Sequence, residues 1–499
     1  MKKNIGHIVL IFLMLTIFIL NIATATRYPV PWTDEVLYID PAINLAEGNG
    51  FTSTAWPSQS KEEFWASNSP LYSILQAGWI KIFGPELIVT RSLSYILGFI
   101  AVILISMGLK NFNLVKSEIL RKFSMVFLLM LFPIAYAYKI GRPDVVCLFL
   151  SSSIFAAASF PVSRVRNTLL VFSSMLTPFA NLSVIFFIAT LIGLGLLFFG
   201  KRILRDAILI TVGMSLGILF MLAFYWFNDS LNQFLMITVG SGHTLLGQIA
   251  QYVVFDDSRV LEKLKDFPVG YFRSFFSWSY TTYLLVFAYL ILLLPRTNRN
   301  RLNFFFSVSV LCVPFFLLLL GEYTWLMSWM HISVLTVAIF YSIDRLDWQK
   351  HALIYRSSVI PLILCVLIGF PWMMGVAFSE WDERSLGEIE NFAEKHITSN
   401  DTVVVNCYVY FGARKRAKDL FVSSYGGGLG FREIPPEQTM RINKMIIRED
   451  EFFRLQSRYG GQWKVIDQFN LPLKDYGLFS YRFLDFRVWD SLFVYERDE

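Results

Sequence analysis

The feature that most constrains this chain is the alternation, from Ile8 to Val376, of long uncharged apolar runs with short clusters of Lys and Arg. An apolar run of about 20 residues matches a bilayer, and basic breaks match its cytoplasmic surface, so the expected fold is an α-helical polytopic membrane protein. Composition bears this out: 55% of residues are hydrophobic, 16% are charged and 48 are Phe, too few polar groups to clothe a soluble globule. The net charge of +6 does not point to nucleic acid, because the basic residues sit in the short loops between spans. Cys147, Cys312 and Cys365 fall inside apolar runs and Cys407 stands alone in the polar tail, so no disulfide framework is expected.

Loop charge sets the topology. Ile8 to Ala25 behind Lys2 and Lys3 is the first span; it ends in Ala23-Thr-Ala25, as a cleaved signal peptide would, but Arg27 and the residues after it emerge outside either way. Residues 27–86 form the first external loop, within which Pro70 to Gly84 is too short to span and is expected to be interfacial or re-entrant. Leu87 to Leu109 returns to Lys110, Lys116, Arg121 and Lys122, and Phe123 to Ile140 goes out again. Val145 to Phe160 comes back to Arg164 and Arg166, which leaves Gly141-Arg-Pro-Asp144 outside. Thr168 to Gly200 reads as two short helices broken near Thr177-Pro178, and Ala207 to Phe227 leads to a second large external loop, residues 228–277. Trp278 to Leu294, Phe304 to Leu320, Tyr323 to Ile343 and Ser357 to Val376 complete about 11 spans, with the N-terminus cytoplasmic.

Residues 1–378 are thus the transmembrane domain, and 379–499 a small soluble α/β domain on the extracytoplasmic side. In it, helices are expected at Leu386 to His396 and Ala413 to Leu420, and strands at Thr402 to Tyr410, Trp463 to Ile466 and Ser491 to Tyr495. The glycines Gly426, Gly427, Gly428 and Gly430 read as a turn; with no Lys-Ser/Thr after them they are not a phosphate loop.

Basic residues alone set this topology, yet it brings Asp34-Glu35, Arg142-Pro-Asp144 and the loop with His243 and Arg273 to one face. Adjacent carboxylates on a helix from Asp34 to Glu47, amphipathic enough to lie along a bilayer surface, fit a site that takes a proton from a hydroxyl nucleophile at the membrane. Asp34 and Glu35 are both candidates for the base, with Asp144 for orientation, proton sharing or metal. Arg27, Lys61, Arg142 and Arg273 are candidate phosphate ligands, and His243 a donor or metal ligand. A divalent cation (Mg, Mn or Zn) would draw on Asp34, Asp144 and His243. The plainer readings are a solvated charged loop for Asp34-Glu35, a structural ion pair or interfacial anchor for Arg142 and Asp144, loop polarity for His243, and local backbone contacts or exposure to water for Glu322 and His331, which could otherwise line the same pocket at the outer end of a span.

The ordered pieces Trp32-Thr-Asp-Glu35, Ala42-Ile-Asn-Leu-Ala-Glu-Gly-Asn-Gly-Phe51, Ser69-Pro-Leu-Tyr72, Trp79-Ile-Lys-Ile-Phe-Gly84 and Thr90-Arg-Ser-Leu-Ser94 resemble the N-terminal half of the GT-C glycosyltransferases. The nearest group is family 39, with the protein O-mannosyltransferases and the aminoarabinose transferases of lipid A. The resemblance implies a GT-C fold and an extracytoplasmic site with a polyprenyl-phosphate sugar donor, undecaprenyl phosphate being the carrier in a bacterial plasma membrane. It implies inversion at the anomeric carbon, Asp34 as catalytic aspartate and Asp144 in the second acidic site. The acceptor would be a lipid, glycan or protein.

Two positions depart from that pattern. Ser67-Asn-Ser-Pro-Leu71 lacks the acidic residue and lysine that precede this segment in the aminoarabinose transferases, and Leu37 stands where Arg is frequent. Phosphate contacts are therefore expected from elsewhere, Lys61 or Arg273. The other classes weighed are an O-antigen polymerase or ligase, expected to rely on Arg and His in a large external loop, and a non-enzymatic transporter, expected to carry mid-membrane charges or a repeated half.

Overall fold

The computed structural model describes residues 2–56, 61–240, 276–293, 301–319, 327–347, 349–379, 381–423, 440–470 and 491–498. His243, Arg273, Glu322 and the Gly426 to Gly430 turn lie outside the described residues.

The N-terminal part is a bundle of α1 (Lys2–Ala23), α2 (Thr33–Glu47), α3 (Leu71–Phe83), α4 (Leu87–Asn111), α5 (Glu118–Met130), α6 (Phe132–Lys139), α7 (Asp144–Ser159), α8 (Arg164–Ala180), α9 (Ser183–Phe199), α10 (Lys201–Phe227) and α11 (Leu231–Gly240). It continues through α12 (Phe276–Leu293), α13 (Arg301–Leu319), α14 (Ser328–Asp344), α15 (Ala352–Leu367) and α16 (Phe370–Ser379). Among the described residues, Gly6–Ala23, Leu87–Asn111, Lys201–Phe227 and Ala352–Ser379 are long and apolar enough to cross a membrane, and α5 with α6 passes as a bent pair.

The two ends of the bundle differ in chemistry. At one, Arg166 pairs with Asp206 at 2.7 Å, Asp344 accepts the Lys116 and Ser117 amides at 2.8 and 2.9 Å, and the Ser117 hydroxyl caps α5 by accepting from the Leu120 amide. This end gathers the basic loops. The other gathers α2, α3 and the Gly141 to Asp144 turn.

One span is bent, and another carries a short turn, where hydropathy reads continuous helices. Phe123 to Ile140 divides at Leu131, extended at φ −68°, ψ 134°, so α5 and α6 meet at a 62° bend. Pro133 suits the first turn of α6, where its missing N–H leaves no gap. Ser357 to Val376 makes a short turn between α15 and α16, and there Gly369 packs against the Met130 carbonyl so closely that any Cβ would collide with it. The bend and the turn are in close contact. Thr168 to Gly200 is indeed two helices, but they part at Asn181, with Pro178 inside the last turn of α8.

The C-terminal domain carries α17 (Leu386–His396), α18 (Tyr410–Arg414), α19 (Glu449–Tyr459) and strands β1 (Thr402–Val405), β2 (Asp419–Val422), β3 (Lys444–Ile447), β4 (Trp463–Phe469) and β5 (Leu492–Arg497). Their order is β2-β1-β3-β5-β4, the first three parallel and the last two antiparallel additions. The Val-rich β1 is buried throughout and takes the centre of the parallel part. The expected strand to Tyr410 stops at Val405, and the expected helix from Ala413 to Leu420 gives way to β2, which pairs along β1.

Candidate active site

The helix that opens the external loop packs its apolar faces against protein. From Glu35 to Asn44 it is buried, and Val36, Leu37, Ile39, Ala42 and Ile43 share one apolar core with Leu386, Ile389, Val403, Val405 and Tyr410 of the C-terminal domain. The apolar faces read from the sequence are real; what covers them is protein. The helix ends at Gly48, where the Asn49 amide returns to the Asn44 carbonyl at 2.9 Å.

The adjacent carboxylates at its start have opposite surroundings. Glu35 is fully buried and bound in a fork by Arg91, Nε to Oε1 at 2.7 Å and Nη2 to Oε2 at 2.6 Å. Arg91 also donates to the Ala25 and Pro29 carbonyls at 2.6 and 2.7 Å, and the Gly141 amide reaches Glu35 Oε1 at 3.1 Å. A Cβ at Gly141 would stand 2.8 Å from that oxygen, so glycine keeps the approach open. Glu35 therefore ties together α2, α4 and the α6–α7 turn.

Asp34, 36% exposed, turns the other way and pairs with Arg142 Nη1. Arg142 gives Nε to Asp144 Oδ2 at 2.9 Å, and both of those side chains are buried. The predicted structural ion pair of Arg142 and Asp144 exists, and it extends to Asp34, 108 residues earlier. Two carboxylates share one guanidinium, which leaves the trio one negative charge in excess. Although burial opposes its charge, Asp144 and Asp34 raise the Arg142 pKa, so it stays a cation. Its plane also lies 5.3 Å from the Trp32 ring and 6.0 Å from Tyr38. Asn68 donates to the Tyr38 hydroxyl at 2.7 Å, and burial raises the Tyr38 pKa, so the phenol stays protonated.

The other sequence candidates are not in this trio. Lys61 pairs with Asp419 of β2 at 3.2 Å, and Arg27 lies 4.8 Å from the ring centre of Trp381. Both link the bundle to the segment after it. Among the described residues no group of three His, Cys, Asp or Glu is placed to hold a metal, and a guanidinium occupies the space between Asp34 and Asp144.

Several residues of this region escape sequence reading. Arg91 sits inside an apolar span, which is itself a signal. Asp40, fully buried, accepts from Ser53 Oγ at 2.8 Å, the Thr54 amide at 2.6 Å, Tyr410 Oη at 2.6 Å and Arg414 Nη1 at 3.1 Å. Lys139 is buried and donates to Asn21 and Thr24 at 3.1 Å.

Bundle, site end and appended α/β domain together define the class: a polytopic membrane fold of the GT-C type. The fold is shared, in particular, with ArnT from Cupriavidus metallidurans. The crystal structure of that protein bound to undecaprenyl phosphate matches with a TM-score of 0.60 and 12% identity over 98% of this chain and 97% of that chain. Its apo state gives 0.59 and 11% over 99% and 98%. No protein-family model and no curated sequence relative matches the chain.

Proposed function

We propose that this protein is a membrane glycosyltransferase that moves a sugar from a polyprenyl-phosphate carrier to a hydroxyl acceptor, with Asp34 as general base. The observation that carries the reading is the Asp34–Arg142–Asp144 trio, in which one carboxylate is open and its neighbour Glu35 is bound away from solvent. The likeness in fold over nearly the whole chain to a protein crystallised with undecaprenyl phosphate supports the same donor class.

In this reaction the acceptor oxygen attacks the anomeric carbon, the bond from that carbon to the phosphate oxygen breaks, and polyprenyl phosphate leaves with the electron pair. Attack from the face opposite the phosphate inverts the configuration. Asp34 takes the acceptor proton as the new bond forms. Arg142 holds the Asp34 carboxylate in place and Asp144 holds Arg142, so the base is aimed before substrate arrives. The acceptor is of the lipid, glycan or protein type. By the positive-inside pattern, the site opens on the extracytoplasmic face of the plasma membrane, with the α/β domain on that side.

The test is transfer by membranes containing the chain, with a labelled sugar supplied either on polyprenyl monophosphate or on a nucleotide. The expected result is transfer from the lipid donor, with one free polyprenyl phosphate released per sugar. Transfer from the nucleotide sugar alone would refute the donor assignment.

A further inference from the structure

Helix α2, which carries Asp34, is gripped twice. The bundle holds its first turn through Glu35 and Arg91. The C-terminal domain holds the rest, through the shared apolar core and through two polar side chains of one short helix, α18. From it Arg414 Nη1 meets Asp40 Oδ1 at 3.1 Å, and Arg414 Nη2 meets Asn44 Oδ1 at 2.6 Å and Glu47 Oε2 at 2.8 Å. Tyr410 Oη donates to the same Asp40 oxygen at 2.6 Å. These partners lie on successive turns of α2, so one guanidinium and one phenol fix both its axial position and its rotation. Asp40 is fully buried, where a carboxylate stripped of donors is costly, so the contact cannot slacken without penalty.

The grip runs on around the same helix. Cys407 Sγ lies 3.8 Å from the Pro31 carbonyl and 3.9 Å from Thr33 Oγ1, just before Asp34. The Val422 amide at the end of β2 donates to the Thr54 carbonyl at 3.1 Å, tying the strand after α18 to the loop after α2.

We propose that Arg414 and Tyr410 are positioning residues for the transfer reaction, and that the C-terminal domain is an obligatory part of the catalytic unit because it sets where α2 holds Asp34 against Arg142. This rests on the reading of Asp34 as the base. The domain acts through Asp40, Asn44 and Glu47 and needs no contact with the reacting atoms. A shift of about 1 Å in a catalytic group costs on the order of 100-fold in rate, which sets the size of the effect.

The experiment uses full-length protein in lipid nanodiscs, with Arg414→Ala, Arg414→Lys, Tyr410→Phe and, as a control, Arg416→Ala, two residues on, whose guanidinium lies 3.5 Å from Glu394 of α17. Two quantities are read on the folded fraction: transfer kinetics with polyprenyl-phosphate sugar, and hydrogen exchange of the amides of residues 33–47 compared with those of α4. Arg414→Ala is expected to lower kcat about 100-fold with little change in KM for the donor, and to speed exchange in 33–47 but not in α4. Tyr410→Phe, which deletes one hydroxyl, acts in the same direction to a smaller extent; Arg414→Lys recovers part of the loss; Arg416→Ala changes neither quantity. Unchanged exchange in residues 33–47 for both Arg414→Ala and Tyr410→Phe would overturn the proposal whatever the kinetics. So would faster exchange with undiminished kcat. If the wild-type chain transfers nothing from that donor, the glycosyltransferase reading fails, while hydrogen exchange still decides whether the domain positions α2.

Discussion

Asp34 and Glu35 are consecutive on one helix, so their side chains leave it about 100° apart, enough here to leave one partly exposed beside Arg142 and to bury the other against Arg91. Removing the charge on Glu35 strands Arg91, whose remaining partners are two carbonyls. Glu35→Gln is therefore expected to destabilise the protein by about 3–5 kcal/mol, as loss of one partner from a buried pair does. Thermal unfolding in detergent would show this as a lowered midpoint. Sequence could name the pair of carboxylates but not choose between them, because the choice is made by Arg91, 56 residues away. Arg142 and Asp144 were legible because they break an apolar pattern close to a span. Arg414 was not, since a basic residue in a soluble domain carries no such mark.

Bends and turns within spans are the features hydropathy is least able to see, since an apolar run reports length and not direction. The bend at Leu131 and the turn at Gly369 are in close contact, because a Cβ at Gly369 would collide with the Met130 carbonyl between α5 and α6. Gly369→Val is expected to push the bend and the turn apart and lower stability by roughly 1–3 kcal/mol, the usual cost of overpacking; urea or thermal titration of the purified protein measures it. Local propensity likewise misplaced β2. Ala413 to Lys418 holds good helix formers, yet β1 is buried on both faces and has an edge to be paired, which draws Asp419–Val422 into the sheet. Tertiary pairing outweighs a few tenths of a kcal/mol of propensity per residue.

At the scale of the whole molecule, the two largest apolar cores among the described residues meet at α2, one within the bundle and one running from α2 into the α/β sheet. The division at residues 378 and 379 marks a change of composition, but the packing crosses it. The sheet has its own acid sensitivity. Partial burial works against the Asp401 charge, but hydrogen bonds from the Thr398 amide and hydroxyl, Asn443 and Lys444 outweigh it and lower the pKa. A carboxylate with a depressed folded pKa stabilises above its unfolded value, about 3.9, and that contribution disappears as pH falls through the folded one. Unfolding of the C-terminal domain, followed by circular dichroism, is therefore expected to become easier below about pH 4, and Asp401→Asn to flatten that acid limb.

The central claim is that Asp34 is the base, and the most direct measurement is the single-turnover rate of sugar transfer from a saturating polyprenyl-phosphate donor by wild type and Asp34→Asn, normalised to folded protein. Asparagine fits the same space and keeps an oxygen for Arg142 but cannot take a proton. A loss of about 100- to 10,000-fold in the chemical step, with donor binding retained, is the expected result. A rate within a fewfold of wild type would contradict the account, and would reduce the Asp34–Arg142–Asp144 trio to a structural ion pair.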